Sequence, residues 1–97
     1  MRQLNIRHRP DLTAAAERAE ALARLQHLAA TRPLGLPAAD EAGFLRYLVS
    51  LAVQYRGRGV TLVELVEAGY EGAAAYKDDR FRAWWARQKM VKIMADR

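Results

Sequence analysis

The sequence predicts an all-α fold, a compact bundle of four to five helices. Apolar residues recur at three- and four-residue intervals in four separate stretches, and proline, glycine and capping residues punctuate them. No run alternates apolar with polar residues at the period of a half-buried strand. The β-branched stretch Val60–Val66 lacks both the alternation and a second strand to pair with.

The first helix is expected from about Leu12 to Thr31, with Asp11 as its N-cap because a carboxylate there accepts orphan amide protons. Its alanines are the best intrinsic helix formers. Leu12, Ala15, Ala19, Leu22, Ala29 and Ala30 fall on one side, and Thr13, Glu17, Glu20, Arg24 and His27 on the other. Two prolines and a glycine in Arg32–Pro37 end the pattern. The second helix spans Ala38–Arg56, with Asp40 and Glu41 suiting the dipole in its first turn. Phe44, Leu48, Leu51 and Tyr55 form its stripe, widened by Leu45, Tyr47 and Ala52. A sector this broad marks it as the central helix. Gly57 and Gly59 stop it.

The third helix opens on Thr61-Leu62-Val63-Glu64, a capping box, with Val60 and Leu65 placed as a hydrophobic staple. Gly69 is expected to stop it. The last segment starts near Gly72 and breaks at Lys77-Asp78-Asp79, where either aspartate caps a final helix from about Arg80. That helix is apolar on two faces. Phe81, Trp84, Trp85 and Val91 share one, and Ala83, Ala86, Met90 and Met94 the other, with Ile93 at its edge. Two apolar faces call for two neighbours, the core and a partner chain.

Ninety-seven residues, 52% of them hydrophobic and 28% charged, fit one folded domain, read as a basic N-terminal arm over 1–10 and a helical domain over 11–97. The absence of cysteine excludes disulfides and thiolate metal sites. No apolar run approaches the roughly 20 residues of a membrane span. The start, Met1–Arg9, lacks the apolar stretch of a signal peptide, so a cytoplasmic protein with no membrane partner is expected. The net charge of +5 is concentrated at the two ends. Residues 1–10 carry Arg2, Arg7 and Arg9 with no acid, and residues 77–97 carry seven basic side chains against Asp78, Asp79 and Asp96. Basic ends around a mildly acidic middle favour an acidic partner such as a phosphate backbone.

No P-loop, no GxGxxG and no HExxH occurs, and the two histidines, His8 and His27, have no partner groups at catalytic or metal-ligand spacing. Asp78-Asp79 and Asp40-Glu41 are helix-start charges. A non-enzymatic protein without cofactor or metal is therefore expected. Trp84-Trp85 offers faces for unpaired bases, but both rings fall with Phe81 and Val91, which favours packing in a core or subunit interface, with Trp85 the more exposed.

Thr61–Tyr70 reads as the first helix and turn of a helix-turn-helix, and Glu71–Tyr76 as the start of its second helix. Over Val60–Trp84 the chain resembles helix-turn-helix DNA-binding segments of bacterial repressors and phage DNA-packaging proteins, in which a glycine-aromatic turn precedes a recognition helix. The second helix carries Gly72 and three alanines in place of base-reading side chains, so the resemblance implies a degenerate version. The leading expectation is a small accessory protein that binds DNA or a protein–nucleic-acid complex through Arg56, Arg58, Lys77, Arg80, Arg82, Arg87 and Lys89. The alternative is a protein-interaction module, a small subunit or inhibitor that docks, or pairs as a homodimer, through Trp85, Ala86, Met90, Ile93 and Met94.

Overall fold

The computed structural model describes residues 10–57 and 59–96, with side chains from residue 14 onward. Arg58 and the arm residues Arg2, Arg7, His8 and Arg9 lie outside the described residues. Among the described residues four helices form: α1 (Pro10–Thr31), α2 (Ala38–Tyr55), α3 (Leu62–Ala74) and α4 (Asp79–Ala95). Among the described residues there is no strand. No helix there is long and apolar enough to cross a membrane. α1 and α4 each pack on both α2 and α3, and not on each other.

α1 is already helical at Pro10, so Asp11 stands inside the helix and is not its cap. The inward face also differs from the expected one. Ala21, Leu25 and Ala29 are buried and Leu22 and Leu28 pack beside them, while Ala15, Ala19 and Ala30 are exposed. A methyl group brings little burial energy, so the leucines set the phase and the alanines take whatever orientation remains.

α2 stops where expected. Arg56 is its C-cap, and Gly59 takes the left-handed φ of 76° that turns the chain into α3. The capping box is formed: Thr61 Oγ1 accepts from the Glu64 amide at 3.1 Å, and the Thr61 amide donates to Glu64 Oε1 at 3.0 Å. Val60 and Leu65, the staple pair, are both buried.

Two expectations about the middle of the fold are corrected. Eight of the thirteen residues of α3 are buried against five of the eighteen in α2, so the shorter helix is the central one. Gly69 does not end α3, which runs on through Gly69, Tyr70 and Gly72 to Ala74. The turn of the expected helix-turn-helix is therefore not at Gly69-Tyr70; the helices α3 and α4 are joined instead through residues 75–78. Gly69 is a place of close approach. A Cβ on it would lie 2.6 Å from Met90 Cε and 3.3 Å from Leu48 Cδ2, so α4 and α2 both close on α3 there.

Asp78 caps α4 by accepting from the Phe81 amide at 2.9 Å. Ala86 and Met90, expected at a partner interface, are fully buried in the core, with Ile93 and Met94 half-buried against it. The opposite, aromatic face turns outward: Trp84 is 49% exposed, Phe81 42% and Val91 38%. Of the two tryptophans, Trp84 and not Trp85 is the more exposed. Small residues on α3 fit this orientation, because Gly69 leaves room for the Met90 side chain and Gly72 for one edge of Trp85.

Tyr70 ties three elements together. It is wholly buried in α3, and its hydroxyl donates to the Arg32 carbonyl at 2.5 Å, satisfying a group at the end of α1. Burial pushes its phenol pKa up, and the Glu41 carboxylate adds to this, against smaller lowering effects of Arg32 and Arg82.

Gly69→Val is expected to lower stability by about 2 kcal/mol through overpacking, read as a lower urea midpoint by circular dichroism. An unchanged midpoint would mean that Met90 and Leu48 give way to the added methyls at little cost. Tyr70→Phe leaves the Arg32 carbonyl unpaired and is expected to cost about 1 kcal/mol at neutral pH. Because the folded chain holds the phenol proton to higher pH than the unfolded chain, this contribution is complete below about pH 10 and is lost as pH rises above it. Urea titrations between pH 8 and 11 are expected to show a shallower alkaline loss of stability in Tyr70→Phe.

Candidate nucleic-acid interface

The basic residues singled out in the sequence do not share one role. Arg56 bonds through its guanidinium to the Glu17 carboxylate of α1. Arg82 is 5% exposed. Its Nε donates to the Tyr76 carbonyl, and its Nη1 is buried without a hydrogen-bond partner among the described residues. Its place as a nucleic-acid contact is corrected: it braces the connection between α3 and α4 from inside. The turn carbonyl takes the part of its ligand.

Lys77, Arg80 and Arg87 are exposed and Lys89 is half-buried. At 3.6 residues per turn, Arg80, Trp84, Arg87 and Val91 project along one line of α4, with Phe81, Trp85, Gln88 and Lys92 beside it. These positions occupy less than half the circumference of the helix. From Arg80 to Ala95 the sequence holds no acidic residue, so nothing on α4 within this face opposes an anion.

The aromatic rings form one continuous cluster. Tyr76 and Phe81 have centroids 4.5 Å apart, Tyr76 meets Trp85 edge-on at 5.5 Å, and Phe81 lies 5.4 Å from Trp84. Trp84 and Trp85 are 5.7 Å apart and tilted by 41°, so their faces do not cover each other. Trp85 is seated by Gly72, where a Cβ would lie 2.6 Å from the indole Cδ1 and 3.3 Å from Lys89 Cβ. The seat fixes one indole against α3 while its neighbour stays open. Beside them is a cavity of about 300 Å³ lined by Trp84, Trp85, Gln88, Lys89 and Lys92.

That cavity joins an aromatic wall to an amide and two ammonium groups, the combination that suits a stacked base with its flanking phosphates. Trp85 and Lys89 were singled out in the sequence. Gln88 and Lys92 were missed, although their spacing of three and seven residues from Trp85 is the helical signal that joins them. Among the described residues, no group of three or more His, Asp or Glu side chains could hold a metal ion.

No family model matches the chain, and no solved structure matches it. The chain is 29% identical over 62 residues to the RNA polymerase sigma factor SigA of Lactococcus lactis subsp. cremoris, a match covering 54% of this chain and 17% of that protein. SigA of Lactococcus lactis subsp. lactis (strain IL1403) matches at 29% over 62 residues, covering 54% of this chain and 16% of its own length. The match thus spans only about a sixth of either sigma factor and a little over half of this chain, a partial similarity to a protein named for RNA polymerase.

Proposed function

We propose that this chain is a non-enzymatic nucleic-acid-binding protein that works through the outward face of α4. Trp84 receives an unpaired base, with Trp85 behind it as the fixed wall, and Arg80, Arg87, Lys89 and Lys92 meet the phosphates. The observation that carries this reading is the exposure of an aromatic cluster interleaved with cations on a helix face free of acidic residues. Aromatic faces accept any base, and surrounding cations add a salt-dependent attraction without reading sequence. The partial similarity to SigA supports the same reading, because an RNA polymerase works on nucleic acid. An accessory role within a protein–nucleic-acid complex is compatible with the small size of the chain.

The test is fluorescence anisotropy of a labelled single strand and its duplex at low and then physiological salt. Binding is expected to favour the single strand and to weaken as salt rises. Trp84→Ala is expected to reduce single-strand affinity about tenfold, within the roughly 1–3 kcal/mol per stacked base. Arg80→Glu with Arg87→Glu is expected to weaken binding to both probes and flatten the salt dependence. No binding to either probe at low salt would overturn the reading.

A further inference from the structure

A second surface lies between α1 and α2, away from the aromatic face of α4. Two adjoining cavities of about 270 and 200 Å³ share Leu22 and Arg46, so they form one groove along the helix pair. Its floor is apolar, with Ala19 and Leu22 from α1 and Leu45 and Val49 from α2. Arg18 and Arg46 flank its broader half, and among the described residues neither forms an ion pair, while Gln26 and Glu41 line the narrower half, so the cationic edge is confined to the broader one. The lining of α2 runs from Ala38 to Ser50, about 18 Å at 1.5 Å per residue, or some three turns of a bound helix.

We infer that this groove docks an acidic amphipathic helix of a partner protein. The apolar stripe of that helix would cover Leu22 and Val49, and its carboxylates would face Arg18 and Arg46. Recognition of this kind combines burial of an apolar face with complementary charge at its edge. A nucleic-acid strand fits less well, because phosphates drawn to the two arginines would leave the apolar floor uncovered. A second copy of this chain fits less well too, since the exposed apolar face of its α4 is itself basic and would repel Arg18 and Arg46.

The test uses two stapled 14-residue helical peptides with the same leucine stripe, flanked by glutamate in one and by lysine in the other. Each is titrated into the isotope-labelled full chain and followed by amide chemical shifts. The acidic peptide is expected to give saturable shifts confined to residues 18–26 and 38–53, and to bind at least about tenfold more tightly than its lysine twin. Arg18→Glu with Arg46→Glu is expected to reverse that preference. Both side chains are exposed, and circular dichroism checks that the variant keeps its fold. Absence of saturable shifts, shifts centred elsewhere, or equal affinity for both peptides would overturn the proposal. So would loss of oligonucleotide binding in the double variant without any binding of the acidic peptide, which would give the groove to nucleic acid. The outcome is independent of Trp84, so the groove and the face of α4 stand or fall separately.

Discussion

Close approach of α2 and α4 to α3 is the constraint on which the remaining structure depends. It is made possible by small residues on a helix of only thirteen, with Ala68, Gly69, Gly72 and Ala73 all buried. Two glycines inside a helix are unfavourable locally, each by roughly 0.5–1 kcal/mol relative to alanine. Packing of Leu48 and Met90 over one and of Trp85 over the other is the gain that offsets this. Once Met90 and Ala86 are committed inward, helical geometry leaves Trp84, Phe81 and the cations around them no position but outward. The candidate binding face is thus a by-product of how α3 is built.

The formal charge overstates what the surface offers an anion. Arg56 is engaged by Glu17, Arg24 by Glu67 at 2.5 Å, and Arg82 by a backbone carbonyl from within the core. The two ion pairs join α1 to the α2 end and to α3. Exposed pairs of this kind contribute little each, typically under about 1 kcal/mol, so they orient α1 more than they hold it. Buried Leu25 and the Tyr70 hydroxyl on the Arg32 carbonyl do more to keep it in place. Among the described residues, the exposed cations left for a ligand are those of α4 with Lys77 before it, the pair Arg18 and Arg46, and Arg32.

Local chemistry was legible in the sequence and long-range packing was not. The box at Thr61 and Glu64, the cap at Asp78 and the stop near Gly59 each depend on residues within a few positions, and all three are formed. The all-helical class and the four helices were legible for the same reason. Gly69 was misread because a glycine that ends a helix and one that admits a neighbouring side chain look alike until the neighbour is known. The face of α1 was misread because alanine carries almost no directional signal. For α4, periodicity separated two apolar faces correctly but held no information about which one α3 would accept. Gln88 and Lys92 escaped notice since neither is unusual until Trp85 is fixed beside them.

The glycines of α3 also leave a signature that should outlast this one chain. Gly69 and Gly72 are matched to particular occupants, the first to Met90 and the second to Trp85. Divergence at either position is therefore not free: a larger residue on α3 must displace the side chain across from it, which the flexible end of Met90 allows more readily than the rigid indole of Trp85. In an alignment of descendants, columns 69 and 90, and columns 72 and 85, would change together in volume. Column 84, facing solvent, would be released from that coupling and free to answer only to whatever it touches outside.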